Sequence, residues 1–253
     1  MKRIILSLLF FLIGLILFLI ATLPVRFGLQ FLPDNIPVQV TGAQGTIWNG
    51  EAANIRWQNK SLGRLTWQLH VLPLFTAQLT TDFTLTGNDL NAQGVASVTT
   101  DKSIQLTDTQ LHAELAALPI PTAQLLVTPE GSLNAMVRNL VYADKLVQTA
   151  DADFFWKPAR ISSPVKYDLG EIELKVTGAN AELTGKLDSR DGPIKANGTL
   201  DLSAQGSLKA NILLTPTPTT PKELRDMLPI LGKPDSHGAI GLNQTIQIPN
   251  WPS

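Results

Sequence analysis

The sequence predicts a mainly β protein: a single N-terminal transmembrane helix, then an antiparallel β-meander domain with one short helix near the C-terminus. Three observations lead there. Residues Ile4 to Leu23 contain no charge, later segments alternate in polarity between glycine-rich turns, and Thr220 to Glu223 carry a lone helix-start signal. The meander has one apolar face, which must be covered either by a second sheet in a sandwich or a helix, or by curling into a groove.

Residues 1–3 form a tip and residues 4–23 the expected span, because about twenty apolar residues cross a ~30 Å hydrocarbon core as a helix. A cleaved signal peptide would need a shorter apolar run followed by small residues at the −3 and −1 positions. Leu19 and Leu23 place bulky residues there instead, which favours a retained anchor. Lys2 and Arg3 precede the span, so the positive-inside rule keeps the N-terminus cytoplasmic and exports residues 24–253.

In the exported part, Glu171 to Gly178 reads EIELKVTG, with Ile172, Leu174 and Val176 on one face and Glu171, Glu173, Lys175 and Thr177 on the other. The same grammar recurs in Glu182 to Leu187, Thr199 to Leu202 and Leu208 to Ile212, and earlier in Leu79 to Gly87, Gly94 to Thr100 and Ile104 to Leu115. Short connections such as Gly178-Ala179-Asn180 and Gln205-Gly206 allow consecutive strands to pair as hairpins without crossovers. Residues 215–221 (TPTPTTP) are expected as an extended connector, with a proline-motif docking segment as the sharper alternative. Thr220 as a capping-box residue, Pro221 at N1 and Glu223 at N3 then open a helix over about 221–228, stopped by Pro229 and Gly232. The last strand follows over about 239–248.

The exported part has 18 basic against 21 acidic residues, which removes the electrostatic footprint of nucleic-acid binding. The chain has no cysteine, so disulfides, thiolate nucleophiles and cysteine metal centres are excluded. His70, His112 and His237 are isolated, no residue set has metal-ligand spacing, and no GxSxG, Walker or GxGxxG motif occurs. Glu171 and Glu173 share their face with Lys175, as on a solvated strand. No catalytic, cofactor or metal site is therefore expected, and the protein is read as acting without enzymatic chemistry. A glycosidase carboxylate pair is the residual alternative.

Tryptophan marks the most distinctive segment. Trp48, Trp57 and Trp67 cluster, and Gly42, Gly45 and Gly50 surround the first of them. Glycines bracketing a short hydrophobic run suggest a turn where Trp48 could fill the space of missing side chains, as core or as a partner hot spot. Leu62-Gly63 is expected to turn the chain between Trp57 and Trp67.

The motif Gly45-Thr46-Ile47-Trp48-Asn49-Gly50 (pattern G-T-[LI]-W-x-G), Trp67 in the next strand, the basic tip before one span, and the late Asp235-Ser236-His237-Gly238 turn together resemble the type II secretion system protein N family. The resemblance implies an inner-membrane, single-pass protein whose domain lies in the periplasm. It would be an accessory part of the machine that exports folded proteins, with other secretion proteins as partners and no cofactor. The meander resembles more weakly the groove-forming lipid-transfer proteins of the same membrane. Bound lipid, besides the bilayer around the helix, is thus the alternative cargo.

Overall fold

A computed structural model describes residues 2–29, 38–57, 60–118, 128–163, 166–236, 238–248 and 251. Helix α1 (Lys2–Ala21) and the short α2 (Val25–Leu29) precede β1 (Val38–Gly45), β2 (Asn49–Trp57) and β3 (Lys60–His70). A 3-10 turn, Leu72–Thr76, leads into β4 (Gln78–Thr86), β5 (Leu90–Thr99), β6 (Ile104–Glu114), β7 (Thr128–Ala143), β8 (Leu146–Ser163) and β9 (Tyr167–Ala179). Then come β10 (Glu182–Arg190), β11 (Ile194–Leu202), β12 (Ser207–Pro216), α3 (Lys222–Leu231) and β13 (Ile240–Gln247).

The thirteen described strands form one open sheet in which spatial order equals sequence order and every neighbour is antiparallel. The expected meander is therefore present as one sheet, not a sandwich. Register makes it two-faced. One rung crosses every strand as Ala43, Ala52, Leu65, Leu85, Ala92, Leu111, Ala135, Phe154, Leu174, Leu187, Gly198, Ile212 and Leu242, all apolar or glycine. The next rung, on the opposite face, is Gln44, Glu51, Thr66, Thr84, Gln93, Gln110, Met136, Asp153, Lys175, Lys186, Thr199, Asn211 and Asn243, polar everywhere except Met136. Side chains alternate across a pleated strand, so this period of two fixes which face each residue takes.

Among the described residues no second layer interdigitates with the apolar face, which buries small residues best. Ala52, Ala113 and Ala159 are fully shielded, and Ile240 is the largest side chain fully enclosed among the described residues. Larger side chains of the apolar rung, such as Leu65, Leu85, Leu111, Phe154, Leu174 and Leu187, stay half-buried, as expected when cross-strand pairs rather than a facing layer provide the packing. Ile240 owes its enclosure to α3, which lies against β13.

Glycines with left-handed φ allow bulges inside the strands. Gly63 (φ 113°) sits within β3, where a Cβ would lie 2.2 Å from the Thr86 carbonyl oxygen, so Leu62-Gly63 kinks a continuous strand instead of turning the chain. Gly131 (φ 109°) plays the same part in β7, where a Cβ would meet the Pro158 oxygen at 1.9 Å.

The C-terminal elements differ in detail from expectation. Thr220 does not cap α3: its hydroxyl bonds the Thr217 carbonyl at 2.8 Å and also the Pro193 carbonyl, and Pro221 occupies the cap position. These bonds fold 217–220 into a turn pinned to the β10–β11 loop, replacing the extended connector, while Thr215 and Pro216 end β12. The helix runs through Pro229 to Leu231 and ends at Gly232; Pro229 removes only the one N–H that would have reached the Arg225 carbonyl.

Candidate docking surfaces and the tryptophan corner

The GTIWNG motif forms the hairpin between β1 and β2 and joins the sheet to α1. Trp48 donates its indole N–H to the Ile20 carbonyl at 2.8 Å. That oxygen belongs to the last turn of α1, where carbonyls lack intrahelical partners, so the ring caps the helix from the sheet. The Ile47 amide donates to Leu23 O at 3.0 Å, and Pro24 bridges Thr46. Thr46 closes the turn, its hydroxyl accepting from the Asn49 amide at 3.1 Å. It is Trp67, not Trp48, that covers the glycine gap: a Cβ on Gly50 would lie 2.5 Å from the Trp67 ring, and the Trp67 indole donates to Ile47 O at 3.1 Å. Gly45 (φ 89°) supplies the turn's left-handed residue. The site motif is thus one corner, with Gly45, Thr46, Ile47, Trp48, Gly50 and Trp67 in mutual contact or hydrogen-bonding sequence.

Beyond that corner α1 projects its described apolar side chains outward, with Phe11 69% and Phe18 62% exposed. These side chains are those of 11–16 and 18–21, and among the described residues no helix is long and apolar enough to cross a membrane. The expected span over 4–23 therefore rests on the sequence, as does the role of Lys2 and Arg3.

The polar face carries paired charges. Lys157 reaches Glu171 at 2.8 Å, and Arg190 reaches Glu173 at 3.1 Å and Asp188 at 3.0 Å, so the carboxylates singled out in the sequence are engaged across strands. Arg138, displaced at the β7 bulge between Val137 and Asn139, donates to both Asp151 and Asp153, the latter at 2.6 Å. Its hydrogen bonds hold both carboxyl groups below the ordinary carboxylate range, and they in turn raise the guanidinium pKa. Sequence reasoning did not single out this cluster, although the D-A-D spacing of 151–153 already places both carboxylates on one strand face.

A depression of about 460 Å³ lies on the same face, lined by Thr84, Gln93, Gln110, His112, Asn134, Met136 and Phe155 among others. His112 bonds Asn134 through Nδ1 at 2.8 Å, and His70 bonds Asp82 at 2.8 Å; His237 lies outside the described residues. Among the described residues no group of three or more His, Asp or Glu could hold a metal ion. What the geometry offers is surface: one polar face, one apolar face and two sheet edges.

Comparison with known proteins bears directly on this architecture. The profile of the family described as "Type II secretion system (T2SS), protein N" matches residues 37–243, which begin at the first strand and end inside the last. The chain belongs to that family. It is 28% identical over 233 residues to the type II secretion system protein N of Vibrio cholerae serotype O1, covering 89% of this chain and 91% of that protein. It is 28% identical over 253 residues to the protein of the same name from Aeromonas hydrophila, covering 96% and 98%. No solved structure gives a significant match. As a member of the protein N family the chain is a component of the type II secretion system, and its mainly β, single-sheet fold spans the matched region.

Proposed function

We propose that this protein is a non-enzymatic accessory component of the type II machine, anchored in the inner membrane by α1 with residues 24–253 in the periplasm, where it contacts other secretion proteins. The observation that supports the reading is a two-faced sheet hung by the Trp48 corner from a helix whose described apolar side chains are exposed. The sequence adds the uncharged run Ile4 to Leu23, about 30 Å long as a helix, and such a run left bare in water would aggregate. On the polar face Glu171, Glu173, Asp151 and Asp153 are engaged by Lys157, Arg190 and Arg138, which suits a scaffold more than a reaction centre. A C-terminal reporter that is active only outside the cytoplasm should be active here, and deleting the gene should retain folded substrates inside the cell. A reporter active only in the cytoplasm, or normal export after deletion, would overturn the reading.

The apolar rung favours a second reading in which that face holds acyl chains, as in a lipid-binding module. Mass spectrometry of gently purified full-length protein separates the two. Stoichiometric phospholipid together with normal export in the deletion strain would replace the accessory role with lipid binding.

A further inference from the structure

We propose that the outer edge of β13 is a strand-addition site for an extended segment of another protein of the secretion machine. The proposal rests on the accessory role above and names the surface through which it would act.

Both edges of the sheet meet the chain's own flanking segments at one end. Beside β1, Pro24 bridges Thr46, Leu23 accepts from Ile47, and α2 lies against the strand. At the start of β13, Pro234 bridges Ile240 and α3 lies against the strand, but along residues 243–247 no described residue pairs with the outer side, and these residues are exposed. Edge strands are normally blunted by lysine, proline or a bulge, because their free N–H and C=O groups template further pairing. The strand IGLNQTIQ has no charge and no proline, and its pairing with β12 runs without a shift.

Register also identifies the free groups. The Ile248 amide donates to Gly206 O, the pair that continues the β12–β13 alignment. Antiparallel pairs alternate between bonded and non-bonded, so residues 246, 244, 242 and 240 bond inward to β12. Beyond the stretch that Pro234 bridges, both backbone groups of Asn243, Thr245 and Gln247 then point away from the sheet. The chemistry of the guest follows. An extended segment of about five residues would satisfy these groups. Its residues beside Leu242 and Ile246 should be apolar, and those beside Asn243 and Thr245 polar and uncharged, so that both faces of the sheet continue.

The test uses the full-length chain in a strain with an active secretion machine. A photo-reactive side chain is placed at Asn243, or at Lys195 on the middle of the sheet as a control, and adducts are identified by mass spectrometry. Thr245→Pro removes an outward N–H without touching a bond to β12, and Thr245→Lys keeps every backbone bond while placing a charge on the edge. We expect an adduct from position 243, absent from position 195, with a segment of another secretion protein having the alternating pattern. Either substitution should reduce it about tenfold, the scale of one lost hydrogen bond or a modest clash. Thr245→Lys keeps the test valid should the proline variant fail to accumulate. Adducts only with a second copy or only with phospholipid, no adduct at all, or an adduct unchanged by both substitutions would overturn the proposal. Normal export after gene deletion would instead sink the accessory role itself. Blocked export after deletion, with full export and full adduct in both Thr245 variants, would sink the edge alone.

Discussion

The sheet has an irregular half and a regular half. Every register shift falls between β2 and β9, whereas the four pairings from β9 to β13 proceed without one. Bulges add local twist and redirect side chains, so the first half obtains its shape from special backbone positions and the second from strict alternation. The Arg138 cluster and the 460 Å³ depression both lie in the irregular half, and the unblunted edge closes the regular one.

The largest effect that would test this contrast is at Gly131. With φ at 109° and a carbonyl 1.9 Å from where a Cβ would stand, Gly131→Val should destabilise by about 4 kcal/mol or more. Chemical denaturation of the detergent-solubilised chain measures it. Next come the corner tryptophans. Trp67→Ala removes a large half-buried ring from Gly50 and should lose about 3 kcal/mol. Trp48→Ala removes one hydrogen bond to α1 and part of a half-buried ring, and should lose about 1 kcal/mol of sheet stability. Equal losses would show that both rings belong to one packed core.

A smaller, acid-dependent effect is expected at the β7 bulge. Asp151 and Asp153 have folded pKa values below their unfolded ones, so their contribution is present above the unfolded value and disappears as pH falls through the folded one. The parent should therefore weaken on acidification below about pH 4, and Arg138→Ala should flatten that part of the profile. An unchanged acid limb in the variant would separate the pairing from stability. Smallest of all is Gly185→Ala in the regular half, where the one tight contact of the added methyl is the Leu174 Cδ1 at 3.0 Å, the tip of a side chain that can rotate, and Leu200 stands at ordinary contact distance. The change should stay within about 0.5 kcal/mol. A loss matching that of Gly131→Val would dissolve the distinction between the halves.

Strict alternation within a strand, in either half, explains what could be read in advance: Leu79 to Gly87, Gly94 to Thr100 and Ile104 to Leu115 correspond to β4, β5 and β6. EIELKVTG alternates strictly, so β9 and its two faces were legible, as were β10 to β12 in part. The two longest strands, β7 and β8, were not singled out. In β7 the inward positions step from Val137 to Leu140, because Arg138 occupies a bulge, and in β8 they step from Trp156 to Ala159; both steps break the period of two. At the corner, the glycines and tryptophans were visible as a motif. Which ring covers Gly50 depends on β3 returning alongside β2, a long-range pairing with no local signature. The helix cap at Thr220 failed for a related reason, since Pro193 on another loop competes for the hydroxyl.

Because each strand bonds only to the strands before and after it in sequence, no strand pairing has to wait for a segment from a distant part of the chain. Closing a hairpin onto the preceding strand costs less loop entropy than a long crossover would. A chain delivered N-terminus first could then add one strand at a time to a growing edge, each new strand templated by the one already in place. No intermediate would have to wait for the C-terminus, and at every stage the exposed unpaired edge would be only one strand wide.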